Sequence, residues 1–310
     1  MKDFRRILHA AVTRRDHPWC LATLVGTSGS SYRQPGARLL VAPDGRETIG
    51  FLSGGCLEEE IARQGGEVIL EGVSRLVPFD TRKLFGCHGS LSVYLEKIPA
   101  AGAEGNFLTE LAAVMKRRQS CQVEVNYAAG GGSKLSGSCR SDLDCPGVFV
   151  QQMQSPPRMV VFGDGPEVAP MRGFAAGLGW DFEAYAHPDE LPGDFVPDRT
   201  TAAVVMTHKI GRDLSALHRL FPMGLPYIGL MGARRRQNEI LASLTDFGGT
   251  GPLDGWLDNL HAPAGLDTGS ESPEEIAFSI LAEAAAVLAG RKGGFLKEKS
   301  GSIHALELRP

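Results

Sequence analysis

The sequence predicts an α/β protein of two domains: a mixed α/β domain over residues 1–154 and a doubly wound parallel-sheet domain over residues 155–310. Three observations carry this. From residue 159 onward, short apolar runs alternate with amphipathic helical stretches, the pattern of a parallel sheet covered on both faces. Before that, β-rich runs are separated by turn signals such as Pro43-Asp44-Gly45. Between the halves lies a Gly/Ser-rich stretch, 126–154, a loop or linker that ends at Ser155-Pro156-Pro157.

The elements follow in order. Phe4, Ile7, Leu8, Ala11 and Val12 recur at helical spacing and predict a first amphipathic helix. Strands are expected at 19–25, 37–41 and 48–52, then a helix at 56–70 with Gly65-Gly66 in its middle. A strand pair at 74–79 and 90–95 and a helix at 107–118 complete the first half. In the second half, strands at 159–162, 181–185, 202–207 and 226–232 alternate with helices at 167–178, 212–220 and 233–244. The last helix, 272–290, carries its own start signal: Ser272 to cap it, Pro273 at its first position, Glu274 and Glu275 for its dipole.

Net charge is −4, which leaves no excess of Lys and Arg for a broad nucleic-acid or anionic-membrane surface. No run of about 18 apolar residues is present, and the N-terminal apolar residues are too interrupted for a secretory signal. A cytoplasmic protein is expected. Six scattered cysteines with no CxxC form neither a disulfide framework nor a structural zinc site.

Ser53-Gly54-Gly55-Cys56 stands at a strand-to-helix junction. Backbone N–H groups are free there, the helix dipole adds partial positive charge, and glycines admit a ligand close to the chain. A thiol in that first turn has its thiolate favoured, while Glu58, Glu59 and Glu60 oppose it. Two readings stand: a reactive or metal-binding thiol, and a small packed side chain at a tight turn. Cys87 and His88, in Phe-Gly-Cys-His-Gly, are also flanked by glycines, and the two cysteines together point to a shared site. The loop Thr27–Arg38, with hydroxyls and with Arg33 and Arg38, suits an anionic, hydrogen-bonding ligand.

In the second half Gly163-Asp164-Gly165, after a strand and before a helix, has the context of a phosphate-binding turn. Asp164 would repel a phosphate, and the acid expected on a ribose at the end of the next strand is replaced by Tyr185-Ala186-His187-Pro188. An NAD(P)-dependent oxidoreductase is therefore the alternative reading and not the first. His208, after a buried strand, and Gly232, before Arg234-Arg235-Arg236, fall at the same ligand-binding sheet edge.

Taken together, GTSGSSYRQPGARLLV, SGGCLEEEI, MVVFGDGPEVAP, THKIGRDLSALHRL, PYIGLMGARRR and LHAPAGLDTGSESPEEIAFSILAEAAAVLAG resemble the XdhC/CoxI family of xanthine dehydrogenase accessory proteins. The likeness runs from about residue 19 to 295, apart from the Gly/Ser stretch. It implies a Rossmann-type C-terminal domain and an accessory factor rather than an oxidoreductase. That factor binds the molybdenum cofactor, holds it while sulfur from a cysteine desulfurase replaces an oxo ligand, and passes it to an apo molybdenum hydroxylase. A homodimer is implied as well. Cys56 and Cys87 fall on the family's cysteine positions and would ligate molybdenum or handle sulfur. Ser53, Gly54, Gly55, Arg33, Arg38, His88, Gly163, Gly165, His208 and Gly232 lie in the loops that would hold the pterin and phosphate. A cofactor-free assembly scaffold is a further alternative.

Overall fold

The structure, a computed structural model, describes residues 2–14, 17–29, 31–55, 57–80, 89–128, 130–136, 145–247 (245–247 by backbone alone) and 257–300. The chain divides into two compact units, Met1–Ser155 and Pro156–Pro310.

In the first unit a central antiparallel sheet runs β3 (Thr48–Gly50), β2 (Arg38–Val41), β1 (Trp19–Gly29), β5 (Gly89–Ile98), β4 (Arg75–Asp80). Residues 19–25 of β1 are all buried and do not alternate, because both faces of the sheet are covered. Helix α2 (Glu58–Glu71) covers one face; its Ile61, Val68 and Ile69, with Leu57 just before it, join the cluster of Leu24, Leu39, Val41 and Val93. Its paired glycines explain themselves here. A Cβ on Gly65 would meet the Val41 side chain at 3.1 Å, so glycine lets the helix lie close to the sheet. Helices α1 (Lys2–Thr13) and α3 (Phe107–Lys116) cover the other face.

Where the sequence reads as a loop or a linker, the structure has strands. β7 (Gly132–Ser136) and β8 (Val148–Met153) flank β6 (Cys121–Asn126) in a small antiparallel sheet that joins the core beside α1 and α3 through Val123, Val125 and Met153.

The second unit is a parallel sheet in the order β10 (Asp181–Tyr185), β9 (Arg158–Phe162), β11 (Thr201–Val205), β12 (Tyr227–Leu230), β13 (Leu260–His261). Helices α4 (Val168–Leu178) and α7 (Pro273–Leu288) pack on one face, and α5 (Ile210–Leu220) and α6 (Arg234–Phe247) on the other. The α/β fold with a doubly wound second half is therefore as the sequence predicts. Helix α7 starts with a capping box: the Ser272 hydroxyl accepts from Glu275 N, and Glu275 reaches back to the Ser272 backbone. The chain leaves β9 toward β10 and later returns to β9's other side as β11. The carboxyl ends of β9 and β11 thus form the crevice where such sheets bind ligands.

Candidate functional site

The turn between β3 and α2 is built around one carboxylate. Glu58, the first residue of α2, folds back under the turn. Its Oε1 accepts from the amides of Leu52 at 3.0 Å and Ser53 at 2.8 Å, and its Oε2 from the Ser53 hydroxyl at 2.5 Å and Leu57 N at 3.2 Å. The Ser53 hydroxyl in turn accepts from Gly55 N and Leu57 N, each at 3.2 Å. The amides of Ser53 and Gly55, which the sequence offers to an outside anion, already have internal acceptors. Burial pushes the Glu58 carboxyl up, but its bonds from Ser53 and Leu52 outweigh that and hold it below the usual range. The other acids of the run are placed apart from this turn. Glu60 pairs with Arg63 at 2.7 Å, which lowers its carboxyl to about 2, and Glu59 is exposed.

Gly54 and Gly55 form the open rim of the turn. Both are exposed, and a Cβ on either would meet nothing within 4 Å. Gly55 has φ +106°, a conformation glycine adopts without strain. Cys56, Cys87 and His88 lie outside the described residues. Glu58→Ala is expected to lower the stability of the first unit by about 2 kcal/mol, because it removes the acceptor of four hydrogen bonds at a largely buried turn. Amide exchange would show this as faster exchange at Leu52, Ser53 and Leu57 than in the rest of the sheet.

Strand directions bring the candidate segments to one end of this sheet. β1 leaves it at Gly29, and Gly29 pairs with Gly89, the first residue of β5. β4 leaves at Asp80, paired with Ser90, so the segment holding Cys87 and His88 departs from and returns to this end. β3, antiparallel to β2, heads toward it as well and delivers the Ser53–Gly55 turn. β3 stands three strands from β5, about 14 Å at the usual spacing, which the loops must bridge for the two thiols to share a ligand.

The two arginines of the β1–β2 loop separate. Arg33 is half-exposed and 4.0 Å from Asp3 of α1. Arg38 is buried: its guanidinium donates to Gly36 O at 3.0 Å and Gln151 Oε1 at 2.7 Å and lies 5.5 Å from the Phe4 ring. Burial lowers its pKa to about 10. It ties the loop base to β8, on the core side of the sheet. Of the remaining cysteines, Cys20 is buried and pushed up to about 12 by desolvation, Cys121 is half-buried and Cys145 exposed. Among the described residues no cluster of three or more His, Cys, Asp or Glu is arranged to hold a metal, and no helix is long and apolar enough to cross a membrane.

In the second unit, Gly163 has φ +151°, and a Cβ there would come 2.6 Å from Met206 O, so the turn after β9 packs directly on the end of β11. His208 follows β11 with φ +57°, uncommon for a non-glycine residue. A Cβ on Gly165 would lie 2.7 Å from Glu167 Oε2 and 3.7 Å from His208 Nε2. These residues share one crevice. Gly232, with φ +135°, lies two residues past β12; its carbonyl accepts from Gln237 Nε2 at 2.6 Å, and Arg236 folds against it. Arg236 turns inward and pairs with Asp213, which is fully buried and also accepts from the Thr207 hydroxyl at 2.5 Å. At the end of β10 the nearby acids are engaged. Glu183 accepts from the Tyr185 hydroxyl at 2.7 Å, and Glu190 from Ala186 N at 3.0 Å.

Sequence reasoning missed a third cluster. Glu283 of α7 accepts from the Tyr227 hydroxyl at 2.8 Å and Gly265 N at 2.7 Å, and meets His261 Nδ1 at 3.1 Å. It fixes the loop after β13, which contains the cis Ala262–Pro263 bond. The signal was in the run LHAPAG followed by ILAE, a histidine and a glutamate whose meeting only the fold reveals.

A protein with an antiparallel α/β unit and a Rossmann unit, each presenting its glycine turns at one sheet end, is the class defined by this geometry. Family profiles described as "XdhC and CoxI family" and "XdhC Rossmann domain" match residues 12–80 and 159–284, together more than half of the chain, and the chain belongs to the XdhC and CoxI family. Relatives agree along the length. A protein of Bacillus subtilis (strain 168), described as a probable xanthine dehydrogenase subunit, is 28% identical over 91% of this chain and 97% of its own. The "Molybdenum cofactor insertion chaperone PaoD" of Escherichia coli (strain K12) is 26% identical over 86% of this chain and 82% of its own. A crystal structure of a xanthine dehydrogenase from Bacillus halodurans superposes with a TM-score of 0.77 at 26% identity, covering 94% of this chain and 97% of that one.

Proposed function

We propose that the chain is an accessory factor that binds the molybdenum cofactor as cargo and supports its insertion into an apo molybdenum hydroxylase of the xanthine dehydrogenase or carbon monoxide dehydrogenase type. The observation that carries this reading is the gathering, at one end of the first sheet, of the open Gly54–Gly55 rim, the Arg33 loop and both ends of the segment between β4 and β5. The kinship with a molybdenum cofactor insertion chaperone supports the cargo.

Cys56 and Cys87 supply soft thiolates suited to molybdenum or to sulfur in transit. Glycines 54 and 55 leave the rim bare, so a bulky cargo can approach the backbone. Ser53 and Glu58 hold the turn in shape and do not bind the anion themselves. Arg33, half-exposed, faces an anionic group, and Arg38 braces its loop from below. A cysteine desulfurase supplies sulfur before hand-over, and the protein works in the cytoplasm as a homodimer.

The test is cofactor content. Purified from a cofactor-producing host, the wild type should retain molybdopterin, and Cys56→Ala and Cys87→Ala should each lose most of it. Equal amounts in wild type and Cys56→Ala end the thiol role. Partner binding with no pterin in any variant identifies a cofactor-free scaffold.

A further inference from the structure

We propose that the crevice at the carboxyl ends of β9 and β11 binds a neutral hydrogen-bond donor, a sugar hydroxyl or ring N–H of a nucleoside, through Glu167, and that it rejects phosphate. This inference stands apart from the cargo reading of the first unit.

Glu167 is the residue before α4, an eleven-residue helix, yet its side chain does not cap that helix. It is 6% exposed, and its Oε2 is sealed from solvent with no hydrogen-bond donor among the described residues. A buried carboxylate oxygen without a donor is costly, and native proteins seldom keep one without a use. This oxygen points at the glycine turn. Any side chain at position 165 would strike it, since a Cβ there lies 2.7 Å away. His208 Nε2 flanks the same point from the β11 side at 3.7 Å, on an exposed ring held out by a left-handed backbone. The three features meet at the switch point of the sheet.

The charge at this turn decides the ligand class. In a phosphate-binding turn the helix N-terminus and bare amides face an anion. Here Glu167 and Asp164, the latter exposed in the same turn, put two negative charges where an incoming anion would sit. A pyrophosphate would meet two carboxylates and supply no proton. A hydroxyl or N–H group would donate to Glu167 Oε2 and restore the missing bond, while His208 offers a second polar contact. Acids bind ribose in related sheets from the end of the second strand; in this chain the acid stands in the turn itself.

Ligand-observed NMR on the full chain tests this with guanosine, GDP and methyl β-D-ribofuranoside, on wild type and Glu167→Ala. Guanosine should bind the wild type, GDP should bind more weakly than guanosine, and Glu167→Ala should weaken guanosine roughly tenfold or more. Riboside binding would assign the donor to the sugar; guanosine binding without it would assign the ring N–H edge. Glu167→Ala should melt no lower than wild type, because it removes an unsatisfied buried group, so lost binding is not lost folding. The proposal is overturned if neither unphosphorylated probe binds, if GDP binds as tightly as guanosine, if the variant binds like wild type, or if it melts markedly lower.

Discussion

Arg236→Met is expected to lower the melting temperature of the second unit by about 10 °C. Asp213, in the first turn of α5, is fully buried beside the end of β11, and Arg236 is its cationic partner. Removing one member of a buried pair leaves a charge without compensation and costs about 3–5 kcal/mol; at this unit size each kcal/mol shifts the midpoint by about 2–4 °C. Arg236 also donates to Met231 O at 3.2 Å, which ties the segment after β12 to the start of α6. Calorimetry on the full chain would resolve the loss as a shift of one unit's transition. The double variant Asp213→Leu/Arg236→Met should recover much of it, since a well-packed apolar pair often matches a buried ion pair. If the single variant melts within about 2 °C of wild type, the buried charge has another source of compensation.

Glu283→Ala is expected to cost about 3 kcal/mol. It orphans the buried Tyr227 hydroxyl and the Gly265 amide and removes the partner of His261. The same carboxylate gives the unit an acid sensitivity. Burial pushes the Glu283 carboxyl up, but the bonds from His261, Gly265 and Tyr227 outweigh this and hold it below its usual value. A carboxyl depressed in the folded state stabilises the fold above its unfolded pKa, about 4.3, and loses that contribution as pH falls through the folded value. Wild type should therefore weaken as the solution is acidified below about pH 4.5, and Glu283→Gln should show a shallower acid slope of unfolding free energy. Equal slopes would remove Glu283 from the acid response.

Most elements were legible because their signals are local. The apolar spacing of α1, the cap of α7 and the continuous apolar strands β9, β11 and β12 are each written within a dozen residues. β7 was illegible: Gly-Ser-Lys-Leu-Ser is half-exposed throughout and becomes a strand only by pairing with β6. β13 is two residues long and is defined by β12. At the site, the glycine turns could be read but their internal partners could not. Glu58 read as one of three acids acting on the nearby thiol, and its folding back is set by Ser53, five residues earlier. Arg38 looked like a ligand group because nothing nearby in sequence reveals Gln151, 113 residues away. Asp213 and Arg236, 23 residues apart, meet only because α5 and α6 share a face of the sheet.

The antiparallel sheet of the first unit carries the proposed cargo loops at one end only. Chain connections at the other end include the β2–β3 hairpin around Asp44-Gly45 and the turn after β5, whose residues 102–105 are exposed. The second of these packs on little: a Cβ on Gly102 or Gly105 would meet nothing within 4 Å. An epitope or a small reporter domain spliced into 102–105 would therefore sit the full length of β1 away from the Gly29–Gly89 pair. Under the proposed function, such a fusion would let cargo traffic be followed in a living cell without obstructing the end of the sheet proposed to load it.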